Sequence, residues 1–469
     1  MYKVAVEYNE NAKYPDYGEA DYYIKELVKN SFADLELDKE NYGTESWNPL
    51  GKFIKPGNLV VIKPNLVMHK NYRKGFQDDT DCVFTNPSVV RAVLDYVIIA
   101  LEGKGKITIG DAPVQECNFN ELIKKSGYEQ LVKDYQQTGI DIVLKDFRGV
   151  ISRSDHGVLH QSEKPSAKHI IVKLDNLSEF SDCSKDKLKK IRITNYNPDE
   201  LIKHHNFGTH EYCIAEDILK ADCIINMPKP KTHKKAGITA CLKNLVGINC
   251  RKEYLPHHTT GSLSDGGDEY NKKSKIKELR TKNHDKFCIC VYNKKYFRAR
   301  FYQAVILVQD FIINHFYSDR TSFGSWSGNN TISKTTIDLN RIALYADKNG
   351  IIKETPQRAF FNIADMIVSG EHNGPMAPES RPVGMILAGE NSFATDLVIA
   401  RLMRAKIDKI PTFNSYFSGN NSLLIFNSDE DITLISNDSK WNGISYKQIN
   451  ESNSFSFKSP DDWEECFEQ

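Results

Sequence analysis

The feature that most constrains the fold is a regular alternation of strand-like and helix-like segments along the chain. A short apolar run bounded by turn residues is typical of a buried strand, and Asp222–Pro228 (DCIINMP) is the clearest case. Further strand-like runs are VAVEY, Leu59–Lys63, KITIG, IDIVL, HIIVKL, AFFNIADMIVSG and VGMILAG, and helix-like runs are Ala20–Asn30, PSVVRAVLDYVIIAL, TTIDLNRIALYA and SFATDLVIARLMRA. This alternation predicts an α/β fold with a mainly parallel sheet wound by helices, arranged as two α/β lobes with a cleft.

The middle and the end of the chain depart from this alternation. From about Arg251 to Lys286 the sequence is polar, which predicts a solvated helix or an insertion, and Tyr296–Tyr317 has the spacing of a long amphipathic helix. Ser422–Ser436 predicts a small C-terminal β-hairpin with its turn at Asn427–Asp431. We therefore divide the chain into an N-terminal α/β region (1–250), a polar insertion with a long helix (251–330), and a C-terminal α/β region with a tail (331–469).

Charge and hydropathy exclude several functional classes. Lys plus Arg and Asp plus Glu both number 62, so no overall field favours nucleic acid or an anionic membrane as a partner. The longest apolar stretches are interrupted by Asp95 and by Gln309 and Asp310, so we expect no membrane span. The first residues lack the basic start and apolar run of a signal peptide, and the expected location is the cytoplasm. The ten cysteines include no CxxC, so an iron–sulfur cluster is not expected.

The densest group of chemically active side chains is the segment Pro228–Gly247. It contains Lys229, Lys231, Lys234, Lys235, Lys243 and His233, and it directly follows the clearest strand. Open α/β sheets bind ligands at the carboxyl ends of their strands. We expect Thr239 to cap a helix whose free N–H groups attract an anion, with Lys243 one turn later on the same face. The segment therefore predicts an anion site, and the structural alternative is a solvated basic loop.

A second polar cluster follows at Pro256–Tyr270. His257 and His258 stand near Asp265, Asp268 and Glu269, a set that can bind a metal or provide a base with an orienting carboxylate. Adjacent histidines in a strand face opposite ways, so one of the two at most is a ligand. The alternative is a polar loop without chemistry.

Three more loops follow predicted strands and are expected to converge on the same cleft. They are Lys63-Pro-Asn65, Asp111–Gln115 and Glu371–Pro375. Proline and glycine are also ordinary turn residues, which is the structural alternative for each loop.

Taken together, these segments resemble the domain-of-unknown-function 362 family. The resemblance depends on KPGNLVVIKPNLV, TNPSVVRAVLDYV, IGDAPVQ, NMPKPKTHKKAGITACLKNLVGI, PHHTTGS, GGDEY, DLNRI, IADMIVSGEHNGP and VGMILAGENSFATD, from about Lys55 to Ala405. Some members carry a ferredoxin-like cluster segment, which this sequence lacks. The form with PHH and GGDEY is similar to members found in polysaccharide gene neighbourhoods.

A more distant resemblance is to the nickel-pincer lactate racemase family. His233 and Lys243 are ten residues apart, and His257 and His258 lie 14 and 15 residues beyond Lys243, which is similar to that family's spacing. The resemblance implies that His233 is a proton-transfer base, Lys243 a cofactor or substrate anchor, and His257 or His258 a ligand of nickel or another transition metal such as zinc. Two departures are Thr-Ala-Cys-Leu before Lys243 and Asp111 where a second histidine base is expected.

These observations lead us to expect an enzyme that acts on a small anionic metabolite, a sugar acid or a phosphorylated sugar. Lys243 would hold an anion or a cofactor carbonyl and His233 would move a proton. The expected substrate contacts are Lys229, Lys231, Lys63, Asn65 and Asp111. Isomerisation or epimerisation is the first expectation for the reaction, and metal- or cofactor-dependent redox chemistry the second. A non-catalytic binding protein for an anionic glycan precursor is the alternative from another class.

Overall fold

The computed structural model describes residues 2–15, 22–155, 158–418 and 431–468. The strands are β1 (Tyr2–Tyr8), β2 (Leu59–Pro64), β3 (Lys106–Asp111), β4 (Ile142–Asp146), β5 (Val150–Asp155), β6 (Val158–Glu163), β7 (His169–Lys173), β8 (Ile191–Arg192), β9 (His205–Asn206), β10 (Thr209–Ala215), β11 (Cys223–Met227), β12 (Lys231–His233), β13 (Gly237–Thr239), β14 (His258–Thr259), β15 (Ala359–Asn373), β16 (Ala377–Gly389) and β17 (Ile432–Ile435). The helices are α1 (Tyr22–Asp34), α2 (Pro87–Leu101), α3 (Phe119–Ser126), α4 (Tyr128–Gln137), α5 (Lys185–Leu188), α6 (Pro198–His204), α7 (Glu216–Lys220), α8 (Cys241–Asn244), α9 (Lys275–Tyr292), α10 (Tyr296–Phe316), α11 (Thr331–Tyr345), α12 (Ser392–Leu402) and α13 (Pro411–Ser418).

A large, mainly parallel sheet forms the centre of the molecule. Its strand order is β17-β1-β16-β15-β11-β2-β3-β4, and the short pair β12–β13 extends from β15. Neighbours are parallel except for the antiparallel pairs β1–β16 and β15–β16. The predicted α/β class with a mainly parallel sheet is confirmed. Strands from residues 1–250 and 331–469 share this sheet, and the boundaries near 250 and 330 stay a proposal.

Burial on both faces explains why β11 reads as a continuous apolar run. Ile225 packs into a core shared with α1 and α2, whereas Ile224 packs into a second core shared with α11. A strand in the middle of a parallel sheet is covered by helices on both sides, so it needs apolar residues at successive positions. The α2 helix begins as its sequence predicts, with the Asn86 side chain accepting from the Ser88 N–H and Pro87 at the first position.

Smaller elements surround the central sheet. The predicted strand at HIIVKL exists as β7 but pairs antiparallel with β10 in a separate sheet, so it does not extend the main sheet. The polar middle region contains the helix α9, and the predicted long helix follows as α10, which packs against α9. Of the C-terminal hairpin, residues 419–430 lie outside the described residues, and β17 pairs parallel with β1. No helix in the described ranges has the length and apolar character needed to cross a bilayer.

Candidate functional site

A cavity of about 610 Å³ lies where β2, β3 and β11 end, the position at which α/β sheets bind ligands. Asn65 reaches it from the end of β2 and Asp111 from the end of β3. His233 and Lys243 reach it from the segment after β11. A volume of this size suits a small-molecule ligand.

The cavity has an apolar wall and a basic wall. Met68, Tyr72, Ile193, Tyr196 and Met376 contribute apolar or aromatic surface. The basic wall consists of Lys235, Lys243 and Lys252, with the partly exposed Lys234 nearby. The arrangement suits a ligand that has both an anionic group and a less polar body.

None of the three lysines of the basic wall forms an ion pair with any residue that the structure describes. Lys235 Nζ donates to Thr194 Oγ1 at 3.0 Å, and Lys252 Nζ donates to the Ala112 carbonyl at 3.2 Å. Burial, together with Lys252 and Lys235, lowers the pKa of Lys243 to about 7. Burial likewise lowers the pKa of Lys235 and of Lys252 to about 8. The wall is therefore short of negative charge, and an anion from outside would relieve it.

The two cavity histidines differ in where their proton resides. His233 Nδ1 lies 3.0 Å from the Lys235 N–H and 3.2 Å from the Ala236 N–H, so it accepts and the ring proton belongs on Nε2. His257 Nδ1 lies 2.8 Å from the Leu255 carbonyl, which only accepts, so Nδ1 carries the proton and Nε2 keeps its lone pair. Burial, with the nearby lysines, holds the pKa of each ring well below its usual range. Neutral His233 is thus a hydrogen-bond donor and neutral His257 an acceptor.

Three further polar atoms in residues that line the cavity lack a protein partner. They are Asn65 Oδ1, Gln115 Nε2 and Thr239 Oγ1, all buried and without a hydrogen bond to the described residues. Buried polar atoms are normally satisfied, because leaving one unpaired costs about 1–3 kcal/mol. These atoms are donors and acceptors that the described residues leave unsatisfied, although each has almost no accessible surface.

Asp111 lines the cavity, but its oxygens are already engaged. They lie 2.8 Å from Lys63 Nζ, 2.6 Å from the Leu66 N–H and 2.8 Å from the Ala112 N–H. Gly247 allows this arrangement, since a Cβ at that position would stand 1.8 Å from Asp111 Oδ1. Lys63 itself is fully buried and does not line the cavity, so its predicted substrate contact has no support from the cavity walls. The pair therefore fixes the loop that carries Asn65.

Lys229 and Lys231 lie away from the cavity. Lys229 Nζ is 2.6 Å from Asp365 and 3.0 Å from the Val368 carbonyl, with both charged side chains fully buried. Lys231 donates to the Val83 carbonyl, and burial lowers its pKa to about 7. Neither residue lines the cavity, so their predicted substrate contacts have no geometric support from its walls.

The predicted cap at Thr239 is wrong. The α8 helix has four residues and its N-cap is Ala240, with no side-chain cap from that residue. The Asp396 carboxylate instead accepts from the Cys241 N–H at 2.6 Å and the Leu242 N–H at 2.9 Å. A protein carboxylate therefore occupies the helix terminus at which we expected an external anion.

The second cluster separates into one cavity residue and a structural network. His257 lines the cavity, whereas His258 does not and packs against Phe323. Asp268 accepts from the Thr331 N–H at 2.9 Å at the start of α11, and Glu269 accepts from Thr281 at 2.7 Å. Within the described ranges, no group of three or more His, Cys, Asp or Glu side chains is placed to hold a metal ion. Metal binding by His257 or His258 stays a prediction.

The predicted loop Glu371–Pro375 begins inside β15, which runs to Asn373, and it contributes to the cavity at the turn between β15 and β16. Glu371 accepts from the Lys458 N–H and does not line the cavity, whereas Asn373 and Gly374 do.

Sequence reasoning missed Lys252, which lies in the stretch that reads as a solvated insertion. Its only available signal was its position soon after the Lys/His segment.

Comparisons with known proteins give a family match. A family model described as domain of unknown function (DUF362) matches residues 60–162 and 176–401. A thylakoid-associated protein of Synechocystis sp. is 25% identical over 198 residues, which cover 42% of this chain and 41% of that protein, so the chain matches less than half of that relative's length. A crystal structure of a Thermotoga maritima protein aligns with 79% of this chain and 56% of that chain, at 11% identity and a TM-score of 0.29. The nickel-pincer resemblance is not shown by these comparisons.

Proposed function

The chain belongs to the domain-of-unknown-function 362 family, and for this member we propose an enzyme that binds a small anionic metabolite in the cavity and moves a proton on it. The observation that carries the proposal is the wall of three lysines, none of which has a carboxylate partner among the residues that the structure describes. Burying like charges together costs free energy, which a fold without a ligand has little reason to retain.

The chemistry of the walls favours a carboxylate or a phosphate attached to a hydrophilic body. Lys235, Lys243 and Lys252 would hold the anion with charge-assisted hydrogen bonds. Asn65, Gln115 and Thr239 would bind hydroxyl groups, because their side chains line the cavity and combine donors and acceptors. A sugar acid or a phosphorylated sugar has both features.

The two histidines can divide a proton transfer between them. His257 Nε2 has a free lone pair and would remove a proton from carbon or oxygen, while His233 Nε2–H would donate to a neighbouring carbonyl or hydroxyl oxygen. This reverses part of the sequence-based assignment, in which His233 was the base. Isomerisation next to the anionic group is the reaction that such a pair supports, because His257 can return the proton to the adjacent carbon. The epimerisation also expected from the sequence would need a second base on the opposite face of that carbon.

Binding is tested by titration calorimetry with gluconate, galacturonate, glucose 6-phosphate and inorganic phosphate. The wild type should bind at least one of these anions, and Lys243→Met and Lys235→Met should bind it more weakly. Lys52→Met is the matched control, because Lys52 is exposed and pairs with Glu390 at the surface. No binding by the wild type to any anion would contradict the proposal.

Proton transfer is tested by hydrogen exchange of the bound anion in D₂O, followed by NMR. We expect exchange at a carbon near the anionic group, lost in His257→Gln with binding retained. Binding without exchange in the wild type would instead identify a non-catalytic binding protein. Metal analysis of wild type and His257→Gln after growth with nickel and zinc tests the remaining metal prediction.

We further propose a cytoplasmic location. The support is that all ten cysteines are free and buried, as is common in reducing compartments. Blocking of thiols with and without prior reduction, in protein taken directly from cells, should give identical mass.

A further inference from the structure

The α10 helix presents an apolar face to solvent. Phe297, Phe301, Val308 and Phe311 follow one another at helical spacing and are 89%, 63%, 60% and 57% exposed. Ala304 lies between them on the same face and is exposed as well. Exposed aromatic side chains repeated along a helix form a continuous patch, and such patches mark interaction surfaces.

The opposite face of α10 packs against the rest of the protein and holds the helix in position. Ala299 and Ile306 pack with Phe287 and Val291 of α9 in a small separate core. The outward aromatic residues therefore contribute little to holding the helix, and their exposure needs another explanation.

Four cations cluster at the beginning of the same helix. Lys294, Lys295, Arg298 and Arg300 are exposed, and none forms an ion pair with a residue in the described ranges. The one acidic residue of α10 is Asp310, which Arg280 engages at 2.8 Å. The surface thus combines an apolar stripe with unbalanced positive charge.

We propose that α10 docks this protein on an anionic membrane surface, lying flat with its aromatic stripe in the headgroup region and its basic cluster on the lipid phosphates. Amphipathic helices with aromatic and basic residues bind bilayers in this way. The helix of 21 residues would contact the surface over about 30 Å.

Charge favours a lipid surface over a second copy of the chain. A parallel pair of α10 helices would place one basic cluster against the other. An antiparallel pair would place that cluster against His315 and Arg320. The neighbouring Asp319 is already paired with Lys277 at 2.7 Å, and the exposed residues of α10 include no carboxylate. Anionic lipid supplies the missing negative charge in any orientation.

Co-sedimentation of the full chain with vesicles tests the proposal. Vesicles of phosphatidylcholine with 30% phosphatidylglycerol should bind the protein, and pure phosphatidylcholine vesicles should bind it much less. Phe301→Ser together with Phe311→Ser should lower the partition coefficient about tenfold or more. Each of Lys294→Gln and Arg298→Gln should lower it roughly fivefold, and added salt should act in the same direction.

Phe207→Ser is the matched control, since Phe207 is 64% exposed but lies outside α10, and it should leave partitioning unchanged. Absence of binding to the anionic vesicles, or equal binding to both vesicle types, would overturn the proposal. So would a dimer in light scattering that Phe301→Ser dissociates, because that result would assign the stripe to a second copy. Each variant is checked by circular dichroism, and calorimetric titration with whichever anion the wild type binds should be unaffected.

Discussion

Two lysines of the segment after β11 should respond in opposite ways to replacement by methionine, which keeps most of the apolar stem. Lys243 lines the cavity among Lys235 and Lys252 and has no carboxylate partner in the described structure. Lys229 is fully buried and lies 2.6 Å from Asp365. We expect Lys243→Met to raise thermal stability and to weaken anion binding, whereas Lys229→Met should strongly destabilise the fold.

The expected gain in stability of Lys243→Met follows from the lowered pKa of Lys243 in the wild type. A fall from 10.5 to about 7 corresponds to at most about 5 kcal/mol against the charged form in the folded protein. Lys243 keeps partial contact with solvent, so we expect a measured gain of about 1–2 kcal/mol. Loss of its charge-assisted hydrogen bond to a bound anion should cost about 1.5–3 kcal/mol, or roughly 10- to 100-fold in Kd.

The stability that Lys243→Met gains over the wild type should also depend on pH. Below pH 7 the folded and unfolded chains both carry the Lys243 ammonium, and the folded state bears the full cost of its charge. Between pH 7 and 10.5 the folded protein has lost this proton while the unfolded chain keeps it, so the cost shrinks as the pH rises. The difference in Tm between Lys243→Met and wild type should therefore be largest below pH 7 and smallest near pH 10.

The expected loss of stability in Lys229→Met arises because the substitution leaves the Asp365 carboxylate without its partner. Removing one partner of a buried ion pair costs about 3–5 kcal/mol, because Asp365 would stay buried and unpaired. The double variant Lys229→Met with Asp365→Leu is the control and should recover part of the loss. Scanning calorimetry and calorimetric titration with the best anion measure both effects. A lower Tm for Lys243→Met, or unchanged anion affinity, would refute the account of the basic wall.

Three further outcomes are expected. Anion affinity should fall from pH 7 to 9, since the lysines with pKa values of about 7 and 8 lose their charge over that range; titration at fixed ionic strength measures this, and affinity that rises with pH would contradict it. Gly247→Ala should lower stability by about 2 kcal/mol or more, because the added Cβ would meet Asp111 at 1.8 Å; a Tm equal to that of wild type would show that the loop can move away. Asp396→Ala should cost about 1–2 kcal/mol by leaving the first N–H groups of α8 unpaired, while Asp396→Asn should recover part of it; equal Tm values for all three proteins would exclude the capping role.

Local patterns were sufficient to predict the fold and the neighbourhood of the site. The apolar runs at β2, β3 and β11 identify buried strands, and their carboxyl ends lie together in any sheet that pairs them in parallel. This is why Asn65, Asp111, His233 and Lys243, far apart in the chain, line one cavity. The start of α2 could also be predicted from the sequence, because its capping residue and its proline are adjacent in the chain.

The roles of individual charges could not be read in this way, because their partners come from distant parts of the chain. The partner of Lys229 is Asp365 in β15, and the residue that caps α8 is Asp396 in α12. The proton positions of His233 and His257 depend on backbone groups only two or three residues away, but also on a local fold that the sequence does not specify. A count of lysines in one segment therefore overestimates the anion site by including two that are buried elsewhere.

The pairing of charges, rather than their total number, draws attention to the two proposed binding surfaces. The equal numbers of acidic and basic residues suggest no electrostatic partner at all. Among the described residues, the cavity wall and the start of α10 each bring together cations that form no ion pair with a carboxylate. At the cavity they are partly or fully buried, so only a small anion can reach them, whereas at α10 they are exposed beside an apolar stripe and suit an extended anionic surface. The burial of the unpaired cations thus indicates which class of anion the cavity and the α10 surface can each accept.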